Sequence, residues 1–176
     1  MWTIDLVPFD HEDAAALRAA QRVELDSRYG SDDHEPGTVP SAVDVPVFLV
    51  ARTTAPPTTE TPTMDTPTTD IPTTGTPIAC GGLRPLGPAL FDGTAVEVKR
   101  MYVAPAARGS GVAAAVLREL ERHAARLGAE RVVLETGTMQ PDAMRFYERE
   151  GYTAIPRYGH YADSELSVCY ERVLQP

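Results

Sequence analysis

Residues 95–128 constrain the chain most. They read A-V-E-V-K-R-M-Y-V-A-P-A-A-R-G-S-G-V-A-A-A-V-L-R-E-L-E-R-H-A-A-R-L-G. A strand-like run ends at Val103, and Pro105 stops it. Arg108-Gly109-Ser110-Gly111 follow, and a long amphipathic helix starts at once. Ala113, Leu117, Leu120, Ala124 and Leu127 fall on one apolar face. Arg118, Glu119, Glu121, Arg122 and Arg126 take the other side, with His123 on or near it, and Gly128 ends the helix. Strand, glycine turn and helix in this order form a socket for an anion. The first N–H groups of a helix lack intrahelical partners, and the helix dipole favours negative charge there. Glycine lets the main chain approach a ligand, because no Cβ intervenes.

Several readings compete for such a loop. A P-loop needs G-x-x-x-x-G-K-[ST], but Val112 and Ala113 follow Gly111 and no lysine is present, which excludes it. A dinucleotide fingerprint needs a third glycine where Ala114 stands, and Glu130 and Glu135 are only loose candidates for its acidic ribose partner. A lone G-x-G is also compatible with a tight turn that binds nothing.

The rest of the chain supplies the frame. Thr3 to Val7 alternates as a first strand ended by Pro8. Asp10 is the expected N-cap of a helix in which Ala16, Leu17, Ala20 and Val23 form the apolar side, with Gly30 as its C-cap. Residues 31–44 are polar and irregular. Val45 to Arg52 is a second strand, Ile78 to Leu86 a third and Thr94 to Val103 a fourth. Arg131 to Glu135 is a short strand. Pro141 opens a helix that carries Ala143, Phe146 and Tyr147 and ends at Gly151. Tyr152 to Ile155 and Leu166 to Leu174 are the last strands. The order β, α, β-β-β, α, β, α, β, β gives a mixed α/β or α+β single domain over residues 1–176. It implies a parallel strand pair joined by the helix that follows the glycine loop.

Between the second and third strands lies low-complexity sequence. Prolines stand at 57, 62, 67, 72 and 77, separated by threonine-rich spacers. Such a segment has too little apolar surface for a core. We expect residues 53–77 to be a disordered insertion in a hairpin. Lengthening a hairpin loop about five-fold costs only about 1.4 kcal/mol of closure entropy, because the cost is logarithmic.

Composition narrows the function. The net charge of −9 argues against a nucleic-acid surface, which needs a basic patch. Cys80 and Cys169 have no C-x-x-C partner and no histidine at ligand spacing, so neither a metal site nor a disulfide framework is expected. Buried reduced thiols are the expected state. No leader-like N-terminus and no membrane-length apolar run is visible, so the expected location is cytoplasmic, with no membrane partner.

The loop gains meaning from what lies downstream. Arg108-Gly109-Ser110-Gly111-Val112-Ala113 fits [QR]-x-x-G-x-[GA] after the strand E-V-K-R-M-Y-V. About thirty residues on stands Q-P-D-A-M-R-F-Y-E-R-E-G-Y, from Gln140 to Tyr152. Together these resemble the GNAT superfamily of acyl-CoA-dependent N-acetyltransferases. The resemblance covers residues 94–174 well and residues 3–52 only in element order. The segment Tyr158-Gly-His-Tyr161, with Ser167-Val-Cys-Tyr170-Glu after it, also looks like a bacterial branch of that superfamily.

The resemblance implies a mixed, mostly antiparallel twisted sheet flanked by helices, and acetyl-CoA as cosubstrate with no metal. The pyrophosphate would sit on main-chain N–H groups of Arg108, Gly109, Ser110, Gly111, Val112 and Ala113, with the Arg108 guanidinium and Ser110 hydroxyl adding contacts. The pantetheine would pair with the backbone of Met101, Tyr102 and Val103. Ala143 lies on the cofactor side, and Gln140 stands where the family usually has asparagine. Glu97 would be the general base, and Tyr147 the general acid for the thiolate. Residues 24–35, with Tyr29, and 158–163, with Tyr158 and Tyr161, would form the acceptor side. Their acidic and aromatic groups suit an ammonium. The implied reaction is direct attack by a primary amine of a small molecule or peptide in a ternary complex, with a homodimer as the candidate assembly. A non-catalytic acyl-CoA-binding or sensing module on the same fold is the alternative reading.

Overall fold

The computed structural model describes residues 1–31, 36–37, 39–54 and 75–175. Most of the expected insertion, 55–74, lies outside the described residues, as does much of the acidic segment after the first helix. Thr53 and Pro77, counted above with the insertion, are strand residues.

Seven strands form one sheet: β1 (Trp2–Leu6), β2 (Val47–Thr53), β3 (Pro77–Pro85), β4 (Ala95–Val103), β5 (Arg131–Gly137), β6 (Thr153–Ile155) and β7 (Ser167–Val173). Their order across it is β1-β2-β3-β4-β5-β7-β6. Every pairing is antiparallel except β4 with β5. The helices are α1 (Glu12–Tyr29), α2 (Val112–Arg126) and α3 (Pro141–Arg149). The parallel pair is the one bridged by α2, as the alternation of elements predicts. No helix among the described residues is long and apolar enough to cross a membrane.

The alternation of β2 assigns the helices to opposite faces. Val47, Leu49 and Ala51 pack with Val116, Leu117 and Leu120 of α2 and with Tyr147 of α3. Phe48 and Val50 pack with Ala14 and Leu17 of α1. A smaller cluster, Val133, Tyr158, Tyr161 and Cys169, stands apart from both.

Three sequence expectations are corrected. The α1 N-cap is His11, whose Nδ1 accepts a hydrogen bond from the Asp13 N–H at 3.2 Å; Asp10 lies one residue before it. The face α1 buries runs through Ala14 and Leu17, whereas Ala16 and Ala20 are exposed and Val23 is 70% exposed. The helix is alanine-rich on several sides, so small residues define no stripe. On α2, Leu127 is exposed and Glu121, assigned to the polar side, is buried. Its carboxylate accepts from Arg118, Arg172 and the Tyr152 hydroxyl, which supply the partners a buried charge requires.

The sheet opens at its centre. β4 and β5 pair from Ala95↔Arg131 to Val98↔Leu134, and no further rung follows. β5 continues to Gly137 on its other edge, paired with β7. β4 instead bulges: its register against β3 passes from Gly82↔Lys99 to Cys80↔Tyr102, and Arg100 takes a positive φ of 58°. The candidate site is built in this gap.

Candidate active site

The glycine loop stands at the end of β4. Gly109 (φ 78°) and Gly111 (φ 88°) both adopt the left-handed conformation that a side chain resists. Gly111 caps α2 without any side-chain hydrogen bond, and the first main-chain bond into the helix is from the Ala115 N–H to the Gly111 carbonyl, 3.1 Å. Of the N–H groups before it, that of Val112 donates to the Ser110 Oγ at 3.4 Å, whereas those of Ala113 and Ala114 keep the donor capacity of an open helix start. A Cβ on Gly109 would meet no atom within 4 Å, so the space above the loop is open.

That space belongs to a cavity of about 690 Å³. Its walls include Met101, Tyr102 and Val103 of β4, the loop residues Arg108, Gly109, Gly111, Val112 and Ala113, and Gln140, Ala143 and Tyr147 at α3. Ten of the eleven residues expected on the cofactor side therefore meet at one cavity; Ser110 is not in its wall. The Ser110 hydroxyl donates to the Ala107 carbonyl at 2.7 Å, inside the loop. Arg108 lines the cavity but is tied down: Nε donates to the Val103 carbonyl at 3.1 Å and an Nη to Glu24 of α1 at 2.5 Å. Burial would raise the Glu24 pKa, but hydrogen bonds from Arg108 and Arg28 outweigh it and hold the carboxyl below its ordinary value. A cavity of this size, with an open helix start and arginine side chains in its wall, fits a thioester cosubstrate carrying phosphates.

A second cavity of about 100 Å³ adjoins the first. Met101, Gln140, Ala143 and Tyr147 belong to both walls. Gln21 and Tyr29 approach from the α1 face, and Lys99, Arg100 and Glu135 come from the two parted strands. Gly137 lets Tyr29 in: a Cβ there would lie 1.6 Å from the Tyr29 hydroxyl. Tyr29, expected on the acceptor side, lines this second cavity.

Tyr147 is 6% exposed, and its ring packs among Phe146, Tyr152 and Tyr170. Burial raises its pKa well above the ordinary phenol value, and the charge of Glu135 adds to the rise. The hydroxyl stays protonated through the neutral range. Glu135 itself is half-buried and accepts a hydrogen bond from the Ser167 hydroxyl at 2.7 Å.

Glu97, Tyr158 and Tyr161 are brought together as well, but elsewhere. Glu97 is fully buried and lines neither cavity. Arg84 donates to its Oε2 from Nε at 2.9 Å and from an Nη at 2.5 Å. The Tyr161 and Tyr158 hydroxyls donate to Oε1 at 2.7 and 3.2 Å. Burial, with Glu97 as the next cause, raises both phenol pKa values. Lys99 links this cluster to the small cavity: its Nζ donates to the Tyr161 hydroxyl at 2.9 Å, and its side chain is in the cavity wall.

Sequence reasoning missed Glu135 as a site residue. One signal was available: a carboxylate closing the apolar run R-V-V-L-E, just before the helix that carries Tyr147. The thiols are inert at neutral pH, since burial pushes Cys80 up to about 12 and Cys169 up to about 11. Among the described residues no group of three or more His, Cys, Asp or Glu is placed to hold a metal ion.

The chain is similar to known proteins both in sequence and in fold. An IAA acetyltransferase of Azospirillum brasilense is 35% identical over 78 residues, 44% of this chain and 51% of the relative. The chain spans about half the length of the curated relatives it matches, 51% and 53%. A Klebsiella pneumoniae protein assigned to the acyl-CoA N-acyltransferases superposes with a TM-score of 0.70 at 27% identity, over 99% of both chains. A GNAT family acetyltransferase from Elizabethkingia anophelis, solved with acetyl-CoA bound, superposes with a TM-score of 0.62 at 14% identity, over 98% of both chains, and shows the shared fold. The sequence model of the acetyltransferase (GNAT) family matches residues 48–152, from β2 through the glycine loop to the end of α3. By that match, and with its glycine loop and tyrosine helix converging on one cavity, the chain belongs to the acetyltransferase (GNAT) family.

Proposed function

We propose that the protein transfers an acetyl group from acetyl-CoA to a primary amine by direct attack in a ternary complex. One observation carries this reading: the long cavity and the small one meet at Tyr147. A cosubstrate whose phosphates lie on the glycine loop and whose arm follows Met101 to Val103 brings its thioester to the junction. The amine then enters from the side of Glu135.

The chemistry follows from that placement. The amine nitrogen attacks the thioester carbon, the new C–N bond forms and the C–S bond breaks. The acceptor arrives as an ammonium and must lose a proton; Glu135 is the carboxylate in the small cavity's wall and takes it. The leaving sulfur gains a proton from the Tyr147 hydroxyl, which burial keeps in its protonated form. In the net reaction the amine gives up a proton and the thiol gains one. Positioning supplies much of the rate, since both reactants are held at one junction. Glu97 acts from behind in this scheme. It orients the Tyr161 hydroxyl, which accepts from Lys99.

Tyr147→Phe tests the assignment. It removes the hydroxyl and leaves the ring contacts, so kcat should fall about 100-fold while the KM for acetyl-CoA changes little. An unchanged kcat would remove Tyr147 from the chemistry.

A further inference from the structure

Gln21 of α1 is tied to a residue 80 positions further along the chain: its Nε2 donates to the Met101 carbonyl at 2.9 Å. Met101 follows the bulge in β4 and belongs to the walls of both cavities. Of the two, Gln21 lines only the small one. A carbonyl oxygen can only accept, so the end of the amide beside Met101 has to be its NH2 group. That contact fixes which way round the Gln21 amide sits, and leaves the Oε1 as the end with no role in the bond.

The Oε1 is buried and has no hydrogen-bond partner among the described residues. The other buried side-chain atom in that condition, the Arg131 Nε, belongs to a residue that lines neither cavity. Buried acceptors in folded proteins are almost always satisfied, so the Oε1 asks for a donor from outside the chain. The small cavity is the way in, and Glu135 and Tyr147 stand in the same wall. An ammonium that enters brings three N–H donors. After one proton has gone to Glu135, two N–H groups remain on the attacking nitrogen. An alcohol that gives up its proton keeps none.

Resting on the acetyltransferase reading above, we propose that Gln21 is the residue that receives the acceptor: its Oε1 accepts an N–H of the attacking nitrogen while its Nε2 stays on Met101. The hydrogen bond sets the rotation of the amine about its C–N bond, and so the direction of the lone pair that proton loss frees. It also selects nitrogen over oxygen nucleophiles. A site built to bond an N–H discriminates against a partner that lacks one, because its own buried group is then left unmet. Since the same amide holds Met101, the acceptor nitrogen is placed directly against the β4 segment proposed for the cosubstrate arm.

Two substitutions separate the two ends of the amide. Gln21→Met keeps the length and removes both groups; Gln21→Glu keeps an oxygen acceptor and loses the donor to Met101. The full chain is assayed at saturating acetyl-CoA with primary amines and their matched alcohols, following CoA release, and the Kd for acetyl-CoA is measured alongside as the control for intact folding. Gln21→Met should lower kcat/KM for the amines about 10-fold or more, the factor of one hydrogen bond to a charged group. Gln21→Glu should recover most of that loss, and the wild type should acetylate amines in preference to alcohols. Equal losses in the two variants would mean that only the bond to Met101 matters, and would overturn the proposal. So would an unchanged kcat/KM in Gln21→Met, or alcohols used by the wild type as well as their amines. Each of these leaves the acetyltransferase reading standing. No turnover of any amine by the wild type would overturn both.

Discussion

Glu97 and Glu135 stand on neighbouring strands in opposite circumstances. Glu97 is level with Val133 and closed in by Arg84 and two phenols; Glu135, two residues on, lines the gap. A buried charge persists only when paired and hydrogen-bonded, and Glu97 has both kinds of partner. The same residues make the stability sensitive to alkali. Burial raises the phenol pKa of Tyr147, Tyr152, Tyr158 and Tyr161. In the unfolded chain these groups titrate near 10. Because the folded pKa values are the higher ones, their contribution is fully present below about pH 10 and is lost as pH rises above it. Denaturant unfolding followed at pH 8 and near pH 11 should show a marked fall in stability, with tyrosinate absorbance from these four appearing only on unfolding. The helix that carries Tyr147 was legible in the sequence, because its pattern is distinctive. The burial of Glu97 was not, because it depends on Arg84 lying opposite across the β3–β4 register and on a loop whose tyrosines stand 61 and 64 residues further on.

Among the elements, the glycine loop was the most legible, since its requirements are local. Gly109→Ala separates its two roles. With no atom within 4 Å of the added Cβ, the free protein feels only the cost of the left-handed backbone, about 1–2 kcal/mol. The methyl group would project into the space proposed for the cosubstrate, so the Kd for acetyl-CoA should rise about 10-fold or more beyond that. Gly128→Ala is the matched control: it has φ 75°, an equally open Cβ position and no place in the cavity walls. It should cost similar stability and leave the Kd unchanged; equal affinity loss in both would detach the loop from binding. The parallel pair was also readable, from the alternation of elements. The buried side of α1 was not, because alanines occur all round that helix and only tertiary contact selects Ala14 over Ala16. Nor was the parting of β4 from β5 legible, since it arises where a bulge in one strand meets continued antiparallel pairing in the other.

At the scale of the whole molecule, the sheet is a divider that fails at one point. α1 covers one face, α2 and α3 the other, and the gap between β4 and β5 joins them. In the proposed scheme, cosubstrate and acceptor approach from different sides and meet at Tyr147. The arrangement needs both cavities, and one measurement addresses them together. The full chain is incubated with acetyl-CoA, with and without a mixed panel of primary amines that includes α-amino acids, while free CoA thiol and acetylated product are quantified. The account predicts CoA release that depends on the amine and matches the acetylated product mole for mole. Tight acetyl-CoA binding with no release above background for any amine would contradict it and favour a binding module on the same fold.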